Sequence, residues 1–338
     1  MSAPILKVEN VSKVFGGGGD LVARALATAG LARPRPGVRA VDGVSFEVMR
    51  GEVVGVVGES GCGKSTLGRI VAGLLPPTSG RVTTTAGDTD RRGALPMQMI
   101  FQDPFSSLNP RKRVRDLIGE APRVHRIVGP DGLEDYVARF MDRCGIDPQY
   151  RDRFAHQFSG GQRQRIGIAR ALAVDPEVLV CDEAVSALDV SIQAQIINLF
   201  MDLRDEFGLT YIFISHDLGV VEHIADRILV MYLGRIVESG PAEQVFERPQ
   251  HPYTRALIDG VPRLDRRRMV YEPVRGDIPS PLNPPSGCHF HPRCPLATER
   301  CRAERPVLRQ IAPGRAAACH LIEETTEESA PWPATQTG

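Results

Sequence analysis

The sequence predicts an α/β fold with a mainly parallel sheet, and two stretches of the chain carry this prediction. In the first, an apolar run at 52–57 leads into a glycine-rich turn and then a helical pattern from Ser65 to Leu75. In the second, residues 174–238, short apolar runs alternate with helical patterns as they do in βαβ units. With 338 residues and an apolar fraction of 42%, the chain can form one large or two smaller domains with a substantial core.

The glycine-rich turn matches a phosphate-binding pattern. Residues 58–66 read Gly-Glu-Ser-Gly-Cys-Gly-Lys-Ser-Thr, which fits the P-loop spacing G-x-x-x-x-G-K-[ST] between a strand and a helix. Backbone N–H groups in such a loop converge on phosphate, and the helix N-terminus adds partial positive charge. We expect Lys64 at the β- and γ-phosphates of ATP and the Ser65 hydroxyl on Mg²⁺. The loop residues expected to bind nucleotide are Gly58, Ser60, Gly61, Cys62, Gly63, Lys64, Ser65 and Thr66.

Polar side chains also follow three other apolar runs. The run at 178–181 ends in Asp182 and Glu183, so we expect Asp182 to act through Mg²⁺ and Glu183 to polarise the attacking water. Gln102 ends a second apolar segment and can contact Mg²⁺ or water, and His216 follows a third. Because ligand sites of parallel α/β sheets lie at the carboxyl ends of the strands, these groups are predicted to meet.

A short glycine segment opens another predicted helix. Ser159-Gly160-Gly161-Gln162 precedes the helical run to Ala173, so Ser159 is predicted as its N-cap. The N–H groups behind such a cap are free to bind an anion.

In this order, the motifs resemble those of the ATP-binding subunits of ABC transporters over most of the chain, from Ile5 to about Leu321. The segments that carry the resemblance are the P-loop, Ile100–Pro104, Ser159–Gln162, Val178–Glu183, Ser186–Asp189 and Ser215–Asp217. The resemblance implies that Ser159, Gly160, Gly161, Gln162 and Asp189 contact ATP held by a second ATPase subunit. It also implies that His216 touches the γ-phosphate and that Phe15 stacks on adenine, although a core role for Phe15 is the alternative.

The resemblance also implies the domain organisation. An ABC ATPase domain is expected over 1–246, with antiparallel strands at 1–15 and 40–57, an inserted loop at 16–39 and a helical subdomain at about 104–157. From 247 to 322 the chain becomes rich in proline, and its segments Arg248–Leu257 and Gly276–Pro281 resemble the C-terminal extension of oligopeptide and dipeptide importer ATPases. The tail at 323–338 is acidic and then rich in Pro and Thr, which predicts disorder.

Four of the seven cysteines lie in the C-terminal extension, at Cys288, Cys294, Cys301 and Cys319. Disulfides are not expected in the cytosol, and clustered thiols in a segment with little core suggest a metal. The spacing lacks the C-x2–4-C knuckles that zinc favours, whereas a [4Fe–4S] cluster tolerates looser spacing. The resemblance favours the [4Fe–4S] cluster, with zinc or free thiols as the alternatives.

Composition restricts the functional class. The chain has 41 basic and 41 acidic residues, so nothing favours nucleic acid as a partner. No apolar run approaches the roughly 18 residues that span a bilayer, so a permease must lie on other chains. The resemblance implies an ATPase at the cytoplasmic face of the cell membrane that energises import of di- and oligopeptides. Its expected partners are a second ATPase in a heterodimer, two transmembrane permease subunits and an extracytoplasmic solute-binding protein. Import of nickel or another small solute, or a soluble ABC ATPase acting on ribosomes or DNA, are the alternatives.

Overall fold

The computed structural model describes residues 3–16, 37–85, 96–103, 107–261 and 276–324. The predicted insertion at 16–39 and the predicted disordered tail at 323–338 lie almost wholly outside these residues. The strands of the described residues are β1 (Leu6–Phe15), β2 (Val38–Val48), β3 (Val53–Val57), β4 (Ser79–Thr84), β5 (Met97–Ile100), β6 (Val178–Asp182), β7 (Thr210–Ile214), β8 (Arg227–Tyr232), β9 (Arg235–Pro241), β10 (Arg309–Ala312) and β11 (Arg315–Ala317).

The helices surround these strands and include several of the predicted ones. The predicted helix at Val114–Val124 is confirmed, and that at 133–144 ends one residue early. The α-helices are α1 (Lys64–Val71), α2 (Val114–Val124), α3 (Leu133–Arg143), α4 (Gly160–Leu172), α5 (Val190–Phe207), α6 (Leu218–Ile224), α7 (Ala242–Glu247), α8 (Pro252–Asp259) and α9 (Glu299–Ala303). Across the described residues, no helix is both long enough and apolar enough to cross a membrane.

The main sheet is mixed, with its parallel part at the centre. The order of its strands is β10-β11-β9-β8-β3-β7-β6-β5, and the five strands from β8 to β5 run parallel. β3 therefore lies between β8 and β7, so the loop that follows it opens at the middle of the carboxyl edge. This is the predicted position of a ligand site in a parallel sheet.

The strands of the parallel part are apolar because both faces of the sheet are covered. Val53 and Val57 of β3 pack into a core with the helices of one face. Val54 and Val56 point to the other face, into a core that contains α1 and the small sheet. The run of valines in β3 thus fills two separate cores.

The small sheet contains the antiparallel strands predicted at 1–15 and in the first part of 40–57, whereas residues 53–57 of the second range form β3 of the parallel part. Its order is β2-β1-β4, and β1 pairs antiparallel with both neighbours. The three helices α2, α3 and α4 form the helical part of the molecule, with α2 packed on both α3 and α4. The predicted α/β core, the antiparallel sheet and the helical part are therefore all present in the described residues.

The C-terminal region contains regular structure that its proline content did not predict. β11 pairs antiparallel with β9, through Ala316 with Ser239 and Ala317 with Glu238, so the main sheet continues into this region. Glu238 is fully buried, and its carboxylate accepts bonds from the backbone N–H groups of Gln250 (2.9 Å) and His251 (2.8 Å). The C-terminal region is thus attached to the ATPase sheet by strand pairing and by buried polar contacts.

Candidate functional site

The P-loop connects β3 to α1, and its glycines are required by close backbone contacts. Gly58 has a φ of 150°, and a Cβ there would lie 2.2 Å from the carbonyl oxygen of Met231. Gly63 has a φ of 107°, and its Cβ would lie 2.0 Å from the carbonyl oxygen of Ala40. A side chain fits at neither position, because the backbone there passes too close to the carbonyl groups of neighbouring segments. Glycine allows this close approach.

Lys64, the first residue of α1, is buried beneath this loop. Its Nζ donates to the carbonyl oxygens of Gly58 (2.7 Å) and Glu59 (3.0 Å). A buried ammonium group needs such acceptors because desolvation is otherwise costly. The loop therefore holds the lysine in place through its own carbonyl groups.

A cleft of about 280 Å³ opens over the loop. Eight residues that the sequence assigns to the site line it: Ser60, Gly61, Gly63, Lys64, Ser65, Thr66, Gln102 and Glu183. The sequence reading missed six further lining residues, which are Val38, Arg39, Ala40, Leu233, Gly234 and Pro281. They come from β2, from the turn between β8 and β9 and from the C-terminal region, and no sequence motif marks them.

Ser65 and Asp182 form a pair of oxygen donors at one side of the cleft. The Ser65 hydroxyl donates to Oδ1 of Asp182 at 2.7 Å. Burial raises the pKa of Asp182, and the hydrogen bond from Ser65 opposes that shift. A hydroxyl beside a carboxylate at a phosphate-binding loop is a donor set that suits Mg²⁺, which prefers oxygen ligands. These two residues fit the predicted metal.

Glu183 lies between two polar groups that the sequence placed at neighbouring strand ends. Its Oε2 accepts from Nε2 of Gln102 at 2.8 Å, and its Oε1 lies 3.2 Å from Nδ1 of His216. β6 lies between β5 and β7 in the sheet, so the residues that follow these three strands meet at one edge. The predicted convergence of these three side chains is therefore present in the structure.

The backbone at Glu183 adopts an unusual conformation. Its φ is 51°, in the left-handed region that few residues other than glycine occupy. Its N–H donates to the carbonyl oxygen of Ile214 at 2.9 Å, which ties the turn after β6 to the end of β7. Strain of this kind costs about 1–3 kcal/mol and collects at functional sites, where surrounding contacts enforce it.

Ser159 to Gln162 form the predicted helix start, but none of these residues lines the cleft. The Ser159 hydroxyl accepts from the N–H of Gln162 at 3.3 Å, and the Gln162 side chain accepts from the N–H of Ser159 at 3.0 Å. This capping box stabilises the first turn of α4. Gly161 packs on Ile192, because a Cβ there would lie 2.5 Å from that side chain. Asp189 lies nearby as the exposed residue before α5.

The remaining predicted residues do not line the cleft either. Phe15 is 42% exposed at the end of β1, with the Lys13 ammonium 5.4 Å from its ring centre, and it pairs with the cleft residue Val38. Cys62 is buried under the loop, and burial raises the pKa of its thiol. Gly58, Asp182 and His216 are also not among the lining residues.

The prediction of an iron–sulfur cluster is wrong. Cys288, Cys294, Cys301 and Cys319 line one small cavity of about 10 Å³ as free thiols. Burial raises the pKa of Cys294 to about 11 and that of Cys319 to about 12. Among the described residues, no group of three or more His, Cys, Asp or Glu side chains is arranged to hold a metal ion. The same finding gives no support to the zinc alternative.

The fold and the cleft define a P-loop ATPase, and comparison with known families narrows the class. The family described as "ABC transporter" matches residues 41–186. The family described as "Oligopeptide/dipeptide transporter, C-terminal region" matches residues 237–301. The first match contains the P-loop, the helical part and Glu183, and the second contains most of β9 and much of the C-terminal region.

Curated relatives resemble the chain over most of its length. A probable peptide ABC transporter ATP-binding protein from Sinorhizobium fredii is 50% identical, covering 95% of this chain and 91% of the relative. A dipeptide transport ATP-binding protein from Haemophilus influenzae is 49% identical, covering 85% and 90%. An oligopeptide transport ATP-binding protein from Bacillus subtilis is 48% identical, covering 84% and 90%. The chain belongs to the ATP-binding proteins of ABC transporters, in the group that carries the oligopeptide/dipeptide transporter C-terminal region.

Solved structures agree with this fold. The chain is similar to the Clostridium perfringens protein cbiO1, part of the ABC transporter complex cbiONQ, with a TM-score of 0.58 and 28% identity over 73% of this chain and 92% of that one. The ATP-binding cassette MJ0796, a dimer bound to ADP and Pi, has a TM-score of 0.56 and 24% identity over 70% and 98%. At that identity the second likeness concerns the fold alone.

Proposed function

We propose that this ATPase energises the import of di- and oligopeptides through a separate membrane permease. The observation that carries the ATPase half of the proposal is the position of Glu183 at the cleft, between Gln102 and His216 and beside the P-loop. The peptide half is supported by the match of residues 237–301 to the oligopeptide/dipeptide transporter region and by relatives named for peptide transport.

The residues of the cleft have distinct roles in this proposal. Lys64 binds the β- and γ-phosphates of ATP through its ammonium group. Ser65 and Asp182 hold Mg²⁺, which offsets the charge that develops on the phosphates. Glu183 accepts a proton from the attacking water, while Gln102 and His216 orient its carboxylate and the water.

The N-terminus of α4 supports a site shared between two subunits. Ser159 to Gln162 carry the N–H groups of a helix start, yet they lie outside the cleft formed by the chain's own P-loop. We propose that these residues and Asp189 bind ATP held by a second ATPase subunit. We further propose that Phe15 stacks on adenine. A heterodimer with a related ATPase is the proposed form, so the isolated chain should hydrolyse ATP slowly.

The remaining partners follow from the transport role. Two permease subunits would supply the membrane-spanning part, and an extracytoplasmic binding protein would deliver the peptide. The chain would then lie peripherally at the cytoplasmic face of the membrane, where ATP is available.

Uptake by intact cells tests the proposal. The chromosomal gene is replaced by its Glu183→Gln version, and uptake of a labelled tripeptide, labelled nickel and a free amino acid is measured. Tripeptide uptake should fall to background while nickel and amino-acid uptake stay normal. Glu243→Gln, at an exposed carboxylate of α7, is the matched control and should leave all three unchanged. Loss of nickel uptake alone would replace peptide by nickel as the cargo, and no change in any uptake would refute a transport role.

A further inference from the structure

Glu59 is the second residue of the P-loop, and its carbonyl, N–H and carboxylate groups all form hydrogen bonds. Its carbonyl oxygen accepts from Nζ of Lys64 at 3.0 Å. Its N–H donates to the hydroxyl of Tyr253 at 2.8 Å. Its carboxylate accepts two bonds from Arg293, at 2.6 and 2.8 Å. Tyr253 and Arg293 both belong to the C-terminal region, so that region contacts the residue that holds the lysine.

The contact with Arg293 is strong by its geometry. The guanidinium meets the carboxylate through two parallel bonds, and only 4% of the arginine side chain is exposed. The Glu59 carboxylate raises the pKa of Arg293. Two-pronged bonds of this kind fix orientation as well as distance, and their loss would leave a buried charge without its partner.

The contact with Tyr253 is rigid because its ring is fully buried. The ring packs against Tyr232 and Phe290, with centroid distances of 4.7 and 5.4 Å. Its hydroxyl is therefore fixed in space where it accepts from the N–H of Glu59. Arg293 lies over the same cluster, 5.9 Å from the ring centre of Tyr232. The rings of Tyr232, Tyr253 and Phe290 form one buried aromatic platform, and both residues that contact Glu59 belong to it or lie over it.

We propose that Arg293 and Tyr253 are positioning residues for Lys64, and that through Glu59 the C-terminal region sets the affinity of the cleft for ATP. The chain of contacts runs from the platform to Glu59 and from the Glu59 carbonyl to the lysine ammonium. Pro281 of the same region also lines the cleft. This inference rests on the proposed role of Lys64 in binding the phosphates.

Affinity measurements on the full chain assembled with its partner subunits test the inference. In Arg293→Gln, the dissociation constant and KM for Mg-ATP should rise about tenfold, since a charge-assisted bond is lost. At saturating ATP, kcat should stay within about twofold, because Glu183 lies at a different strand end. Tyr253→Phe, which removes only the hydroxyl, should raise KM about threefold. Arg293→Lys keeps the charge but loses the two-pronged geometry and should recover part of the affinity.

A double variant separates positioning from general damage. Glu59→Gln should raise KM as Arg293→Gln does, and the two changes together should cost no more than the larger single change, because both break one contact. Arg300→Gln, at an exposed pair with Glu304 in the same region, is the control and should leave KM unchanged.

Three outcomes distinguish the possible failures. If Lys64→Ala leaves ATP affinity unchanged, the proposed role of the lysine fails first. If Lys64→Ala weakens binding but Arg293→Gln and Tyr253→Phe lower only the thermal midpoint, the two residues are purely structural and the inference is overturned. If Arg293→Gln does not fold, Tyr253→Phe decides, and an unchanged KM there refutes the inference.

Discussion

The nucleotide cleft and the attachment of the C-terminal region use polar side chains in opposite ways. In the cleft, Gln102, Glu183 and His216 meet at strand ends and border open space. In the attachment, Glu238 and Arg315 are buried between β9 and β11 and form a pair at 3.2 Å. Groups that border open space can exchange their partners for a ligand, whereas buried pairs can only be kept or broken. Substitutions should therefore alter chemistry in the cleft and folding in the attachment.

The largest effect is expected for Glu183→Gln. The amide keeps the shape of the side chain but cannot accept a proton, so turnover should fall about 10²- to 10⁴-fold. Binding of Mg-ATP and the thermal midpoint should stay close to those of the parent protein. Steady-state hydrolysis and equilibrium binding of the assembled complex measure the two quantities. Full turnover in the variant would remove Glu183 from its proposed role.

The attachment should respond in stability instead. Arg315→Ala leaves the buried Glu238 carboxylate without its cation, and breaking such a pair costs about 3–5 kcal/mol. Denaturant unfolding measures the loss, and ATP turnover per folded molecule should be nearly unchanged. Gln310→Ala, at an exposed residue of β10, is the control. If Arg315→Ala lowers the free energy of unfolding no more than Gln310→Ala does, the stability of the C-terminal region does not depend on this pair.

Lys64→Ala tests the cleft for binding rather than turnover. Removal of the ammonium group deletes charge-assisted hydrogen bonds to phosphate, each worth about 1.5–3 kcal/mol, so ATP affinity should fall roughly 10- to 100-fold. Titration with Mg-ATP followed by a fluorescent analogue or calorimetry measures the change. Unchanged affinity would contradict the assignment of the P-loop.

The stability of the attachment should also depend on pH. Burial lowers the pKa of His251 to about 3, and its Nδ1 accepts from the N–H of Tyr253 at 3.0 Å. Between about pH 6.5 and 3 the unfolded chain binds a proton at this residue and the folded chain does not. The free energy of unfolding should therefore fall as the pH falls through this window, by up to about 1.4 kcal/mol per unit.

His251→Asn isolates this effect, because the asparagine side chain can still cap α8 but does not titrate. Its stability should change less between pH 6 and 4 than that of the parent protein. A residual slope is expected, since burial also lowers the pKa of His289 to about 4. Equal slopes in the two proteins would show that His251 is already protonated in the folded state.

Much of the cleft could be predicted because it follows from local pattern. The P-loop is a continuous stretch of sequence, and the glycines at 58 and 63 occupy positions where a Cβ would clash. Gln102, Glu183 and His216 each follow an apolar run, and strand ends of a parallel sheet gather at one edge. The sequence therefore indicated which side chains meet, although they are far apart along the chain.

The sequence by itself determined the ATPase class, the parallel sheet and the residues at the strand ends, because periodicity and motif spacing are local properties. Only the tertiary structure decided how the C-terminal region is held. Glu59 and Arg293 are 234 residues apart and belong to no common motif. The cysteine spacing suggested a metal, but the described side chains are not arranged to hold one, and that arrangement depends on how β11 and its neighbours pack. Pairing between distant side chains leaves no periodic trace in a single sequence.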